Sequence, residues 1–290
     1  MKKILFSSLL FICAHSYSQT DSSGQKKVRV GGGLQFISNQ TYAGRADSLK
    51  LPVLIPEFNF EFQKGFFINT KGYLNLSGGK TTFDGVSIEP GYEFSKENWN
   101  GSLSVIKNFI SDSSNLIIAP VKASLEFYLN KETKILTPYI GSEYVFSAEG
   151  NDVIVYGGLS KNISFSKEEA KASMSVEPSF GLTGGSQNFY YSFLKSFSSN
   201  GQSRGVGKGR GRGNSGSTTT TTTTTTTVQQ QSKQFTLLAS SFELPITLTA
   251  KKFKWVTTPA LETPINLIKG SGGQSSASIF YITTELLINF

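Results

Sequence analysis

The chain has 290 residues, with 28 Lys and Arg against 20 Asp and Glu for a formal net charge of +8, 29 glycines and 23 phenylalanines, but a single cysteine and a single histidine. Both, Cys13 and His15, fall in an amino-terminal stretch that reads as a secretory signal: Met1-Lys2-Lys3, the apolar run Ile4 to Ala14, then small residues at Ser16 and Ser18, with cleavage expected before Gln19. A mature chain begun there excludes disulfides, cysteine or histidine metal sites and Ser-His or Cys-His nucleophile pairs, so no catalytic residue, metal ligand or cofactor is expected.

Ile12 is too large for the position before a lipidated cysteine, which disfavours a lipoprotein. Beyond the signal no eighteen successive apolar residues occur, so a helical membrane span is not expected. Losing Lys2 and Lys3 brings the charge to +6, and Lys195, Arg204, Lys208, Arg210, Arg212 and Lys233, in a segment without acids, account for all of it. A neutral body with one basic low-complexity stretch is a weak case for nucleic-acid binding, and none is expected.

From Val28 onward the two-residue period of strands dominates. Pro56 to Gln63 places Phe58, Phe60 and Phe62 on one face and Glu57, Asn59, Glu61 and Gln63 on the other. Ile117 to Leu129 and Ala170 to Leu182 alternate in the same way. Further strands are read at 28–37, 66–76, 86–94, 99–110, 135–146, 153–165, 234–249 and 252–265, and the last, 277–290, ends on the aromatic Phe290. Lys107 and Lys161 land on otherwise apolar faces, where a bulge or an error in the assigned register is expected.

Twelve strands of about ten to fourteen residues exceed the length usual in soluble sheets and match tilted bilayer-crossing strands. Short charged connections at 63–65, 95–98, 130–134, 166–169 and 250–252 alternate with longer ones, among them 38–51, 184–233 and 266–276. This is the pattern of periplasmic turns and outer loops. With both termini in the periplasm the strand number must be even. The aromatic stretch Gln187 to Leu194 is therefore assigned to an outer loop, as a short helix or cap over the rim. The fold expected is all-β: an antiparallel transmembrane β-barrel of about twelve strands, with residues 1–18 the signal, 19–290 the barrel, and 184–233 an extracellular, largely disordered insert holding Thr218 to Thr227.

Inward positions carry Glu57, Glu61, Glu89, Glu93, Glu126, Glu143, Glu177, Glu243, Glu262 and Glu285, with Lys71, Lys122, Lys171 and Lys254. These are expected to line the lumen as compensated charges rather than act as an acid pair, because carboxylates on separate strands have no separation readable in sequence. Prolines beside carboxylates, as in Glu89-Pro90, Glu177-Pro178 and Glu243-Leu244-Pro245, are read as bulges. The Gly205 to Gly213 stretch lacks the flanking strand and helix of a phosphate loop. Its Lys208, Arg210 and Arg212, with the preceding Arg204, instead suit contact with a polyanion such as lipopolysaccharide, on counter-charge grounds.

Val176-Glu177-Pro178-Ser179-Phe180, Gln187-Asn188-Phe189-Tyr190, the basic Gly-rich loop, Phe242-Glu243-Leu244-Pro245-Ile246 and the terminal Phe290 together resemble uncharacterised outer-membrane β-barrel proteins of Bacteroides-type bacteria. The resemblance implies the outer membrane of a Gram-negative cell, with lipid and lipopolysaccharide as surroundings, and no activity; Phe290, which joins the last outward side chain of the closing strand to the terminal carboxylate, is expected to be the assembly signal for the barrel-assembly machinery. Function is expected to be that of a narrow channel or transporter for small polar solutes, with a non-conducting surface protein whose loops bind or display a ligand as the alternative. If the insert is outside the cell, trypsin added to intact cells cuts at Arg204, Lys208, Arg210 or Arg212 and leaves two fragments that co-migrate until boiled in detergent. Cutting only after the outer membrane is broken would reverse the orientation.

Overall fold

The computed structural model describes residues 28–46, 50–77, 81–147, 150–165, 172–199, 230–268 and 277–290. The expected signal, the Gly/Arg and Thr-rich stretch and Lys171 lie outside the described residues.

Twelve antiparallel strands form a closed barrel. They are β1 (Val28–Ile37), β2 (Val53–Phe62), β3 (Phe66–Asn75), β4 (Thr82–Lys96), β5 (Trp99–Ile110) and β6 (Val121–Lys131). Then follow β7 (Thr137–Ser147), β8 (Gly150–Ser160, resuming at Ile163–Ser164), β9 (Ala172–Val176 and Ser179–Gly185), β10 (Thr236–Glu243 and Ile246–Ala250), β11 (Phe253–Pro264) and β12 (Ile279–Asn289). Each strand pairs with its sequence neighbours, and β1 closes the ring, pairing with β2 (Gly33↔Glu57) and with β12 (Gly33↔Leu287).

Strand alternation sorts the side chains. On β2, Phe58 is 43% exposed on the outer wall while Val53 is 0% exposed inside. Outward aromatics gather in two bands. Phe62, Phe66, Phe94, Trp99, Phe253 and Trp255 stand near the turn end, and Phe36, Phe83, Phe109, Phe146, Phe235 and Phe280 near the loop end. Phe83 and Phe94 on β4 are separated by roughly 36 Å of strand, or about 28 Å along the normal at a tilt near 40°. This is the height of a hydrocarbon layer, and an apolar outer wall with every strand paired is what such a layer requires.

The tight turns sit at one end, where Lys64, Glu97 and Lys251 take positive φ of 70°, 56° and 51°. Gly65 is required beside Lys64, because at its φ of 88° a Cβ would stand 2.1 Å from the Glu93 carbonyl oxygen. The opposite end carries the long connections, except that β7 and β8 meet there in a tight hairpin, Ser147↔Gly150.

Three expectations are corrected. The run from Ile117 is not strand until Val121; Leu116, Ile117 and Ala119 fold into the barrel mouth, and a register slip between Val121 and Ala123 resets the alternation. Because of that slip Lys122 sits at the rim rather than in the lumen, its Nζ 2.6 Å from Asp112 Oδ1. The ammonium holds this loop carboxyl below the usual carboxylate range. Lys107 causes no bulge: it stays on the outer face with its Nζ 5.8 Å from the Phe109 ring centroid, its stem lying along the wall. The interruption expected at Lys161 is present, between the two parts of β8.

The outer wall sets a direct test. Phe58→Lys puts a charge near mid-height on the lipid face and lowers folding stability in phospholipid vesicles by about 2–4 kcal/mol, read by denaturant titration, whereas Ser124→Lys on the inner wall has no such lipid penalty.

Candidate functional site

The interior is built in two parts, an apolar plug at the loop end and a polar lumen beneath it. The plug begins with a helix, α1 (Asn188–Ser199), in the aromatic stretch that sequence placed as a helix or cap. Phe189, Tyr190, Tyr191 and Phe193 are buried against Ile117, Val121, Val145, Ile154 and Ile268. A second cluster joins Val53, Ile55, Tyr73 and Ile110 of the wall to Leu116 and Ala119. The mouth is therefore packed as a core, with Phe189, Leu116 and Val145 each 0% exposed.

Two charged residues fix the plug. Asp152 of β8, 1% exposed, caps the amino end of α1: Oδ2 accepts from the Phe189 N–H at 2.7 Å, and Oδ1 accepts from the Asn188 N–H at 2.7 Å and from Ser186 Oγ at 2.6 Å. The cap comes from the wall instead of the helix's own leading residue, so it both satisfies free N–H groups and docks the helix.

Arg45, also 1% exposed, lies on a short ribbon (Thr41–Tyr42 paired with Arg45–Ala46) inserted from the β1–β2 connection. Its Nε donates to Gln187 Oε1 at 2.7 Å, Nη1 to the Leu238 and Gly44 carbonyls at 3.0 and 3.3 Å, and Nη2 to the Ile265 and Asn266 carbonyls at 2.9 and 3.3 Å. Burial pulls this loop guanidinium's pKa down to about 10, which still leaves it charged at neutral pH. One fork of donors thus ties together the ribbon, the helix start, β10 and the β11–β12 connection.

Below the plug the inner wall is acidic. Glu57, Glu61, Glu89, Glu93, Glu126, Glu143, Glu177, Glu243, Glu262 and Glu285 occupy inward positions, with Lys71 and, near the turn end, Lys254. Glu57 faces Lys71 across β2 and β3, and meets Glu285 over the intervening β1. That meeting needs Gly33, where a Cβ would lie 2.5 Å from Glu57 Oε1 and 2.7 Å from Leu287 Cδ2. Glu57 is 8% exposed and its Oε1 has no hydrogen-bond partner in the protein. Asn69 donates to Glu89 at 3.3 Å, Tyr156 to Glu126 at 2.9 Å and Ser160 to Glu177 at 2.7 Å. At the turn-end mouth Arg29 pairs with Glu61 at 2.7 Å, and Glu93 lines the same opening of about 620 Å3.

Directly under the plug is a cavity of about 480 Å3 lined by Glu143, Glu177, Glu243, Glu262 and several tyrosines. Tyr42 joins the two parts: its ring meets Phe189 edge-on at 4.8 Å, and its hydroxyl donates to Glu143 at 2.9 Å. Glu262 lies against Thr41 and Gly44 of the same ribbon.

No protein-family model matches the chain, and no curated protein is similar to it in sequence. Among solved structures it is similar to a NanC porin, at 9% identity and a TM-score of 0.40 over 91% of this chain and 98% of that one. It is similar also to LpxR from Salmonella typhimurium, at 6% identity and TM-score 0.43 over 90% and 100%, and to a bacterial polysaccharide outer membrane secretin, at 9% and 0.43 over 91% and 98%.

The sequence reading did not single out Arg45, Asp152, Tyr42 or Tyr156, none of which carries a local signal. Asp152→Ala removes the cap and leaves the Asn188 and Phe189 N–H groups without it; hydrogen–deuterium exchange at α1 accelerates by an amount equivalent to about 1–3 kcal/mol, while exchange in β2–β5 is unchanged. Equal protection of α1 in the variant would remove Asp152 from the plug.

Proposed function

We propose that this is an outer-membrane β-barrel through which small polar solutes pass, closed at rest by α1 and its tethers at the outer mouth. One observation carries the reading: beneath an apolar plug the lumen keeps a polar, carboxylate-lined cavity of about 480 Å3. A barrel serving only to display loops would gain packing by filling that space with side chains, as small barrels do. The inner wall, with Glu57, Glu89, Glu126 and Glu285 around Lys71, favours cations over anions, since a narrow low-dielectric passage makes each carboxylate felt by a passing ion.

The surroundings follow from the same reading. The long connections face outward, the outer wall meets lipid, and Arg204, Lys208, Arg210 and Arg212 meet lipopolysaccharide. Phe290, whose N–H donates to the Val30 carbonyl at 3.0 Å, is the residue met by the assembly machinery. The resemblance of Val176 to Phe180, Phe242 to Ile246 and Phe290 to barrels of Bacteroides-type bacteria supports this setting and brings no catalytic role.

Planar-bilayer recordings test it. The native protein carries little steady current, and a variant with residues 187–232 replaced by a short Gly-Ser linker conducts with a cation-selective reversal potential that Glu57→Gln with Glu126→Gln shifts toward anions. A correctly folded, plug-less barrel that carries no current would leave the non-conducting surface protein as the function.

A further inference from the structure

We infer that the cavity beneath the plug binds a small organic amine carrying one or two positive charges. The inference rests on the transport reading and names the class of solute for the same lumen. Glu143, Glu177, Glu243 and Glu262 face the cavity, and no lysine or arginine is among the residues that line it. The acidic wall has a vacant acceptor: Glu262 is 8% exposed, and its Oε2 has no hydrogen-bond partner in the protein. An ammonium supplies both the charge and up to three donors.

Four tyrosines share the wall with small residues such as Ser179, Thr183 and Ser241. Tyr42, Tyr128, Tyr139 and Tyr156 line the same space, the rings of Tyr128 and Tyr139 with centroids 6.3 Å apart. Tyr156 is held across Gly141, where a Cβ would fall 2.2 Å from the ring, and its hydroxyl is committed to Glu126. Tyr42 is likewise committed to Glu143. With their hydroxyls engaged, what these residues add is ring surface, and aromatic faces attract alkylammonium groups.

A compact metal ion is a poorer fit, because among the described residues no three carboxylates are grouped to ligate one. The volume of about 480 Å3 suits a small molecule. The plug closes the loop end, so in the resting state the amine enters from the turn end.

Isothermal titration of the full-length barrel in detergent, with cadaverine and choline as probes and pentane-1,5-diol as the uncharged control, tests the site. Both amines are expected to bind and the diol not to. Glu243→Gln with Glu262→Gln weakens binding about tenfold or more, equivalent to the loss of a charged contact, while Asp112→Asn at the rim leaves it unchanged. Heat-modifiable migration reports folding; if the double variant does not fold, Glu177→Gln takes its place under the same expectation. The inference is overturned if the folded native barrel binds neither amine, if the diol binds equally, or if the folded cavity variants bind as the native protein does. Binding requires no passage, so a plug-less barrel that is silent yet binds amines overturns the transport reading alone, and one that conducts yet binds none overturns only the amine site.

Discussion

Every backbone N–H and C=O placed in hydrocarbon must find a partner within the protein, and the rest of this molecule depends on how that demand is met. The ring closes at β1, a strand with Gly31, Gly32 and Gly33 in succession, paired along its length with β2 and over most of it with β12. Closure there decides what the interior can hold. With small residues at the seam, Glu57 and Leu287 from the flanking strands reach over Gly33 into the lumen. A larger residue at that point would force both side chains, the buried Glu57 and the half-buried Leu287, aside.

Closure also creates an interior too wide for the wall alone to fill. The chain meets this with its connections. The ribbon, the 111–120 connection and α1 enter the mouth and become core, so the largest apolar cluster is made in good part of residues that lie between strands. Burying charge there is costly unless every donor and acceptor is answered. Arg45 meets that condition with partners drawn from several segments and Asp152 with donors from Ser186, Asn188 and Phe189 at the start of α1, which makes plug and wall a single body. The polar lumen lies on the other side of Tyr42, whose ring belongs to the plug and whose hydroxyl belongs to the cavity.

The wall was legible in the sequence because its signal is local. Phe58, Phe60 and Phe62 against Glu57, Asn59 and Glu61 declare two faces within one strand, and β1 and β5 run over the very residues expected. Parity of strand number then placed Gln187 to Leu194 among the connections, where α1 begins. The departures share one physical origin, which is that a period of two holds only until a residue is inserted. At Val121 the slip turns the preceding apolar residues inward and leaves Lys122 at the rim, and nothing in the alternation of Ile117 to Leu129 announces it. Arg45 and Asp152 were beyond reach for another reason: their partners lie as far as 221 and 37 positions away along the chain, and a lone base in a glycine-containing loop or a lone acid in a strand looks the same whether solvated or buried.

Of the prolines read as bulges, Pro90 makes none, since it stays in register opposite Ile68, whereas Pro178 and Pro245 fall in line with Pro259. Lys161 N–H donates to the Pro178 carbonyl, Glu177 N–H to that of Pro245 and Leu244 N–H to that of Pro259, at 3.1, 2.9 and 3.0 Å, so the interruptions in β8, β9 and β10 fall side by side against β11. Proline returns no donor, and each of these junctions is therefore stitched in one direction only. The barrel is consequently not an isotropic cylinder. The ladder is broken along this crease, which runs through the strands bearing Glu177, Glu243 and Glu262, whereas β2, β5 and β7 each run as one unbroken strand. Fewer cross-strand bonds hold the wall beside these three carboxylates, so any widening of the lumen costs least there.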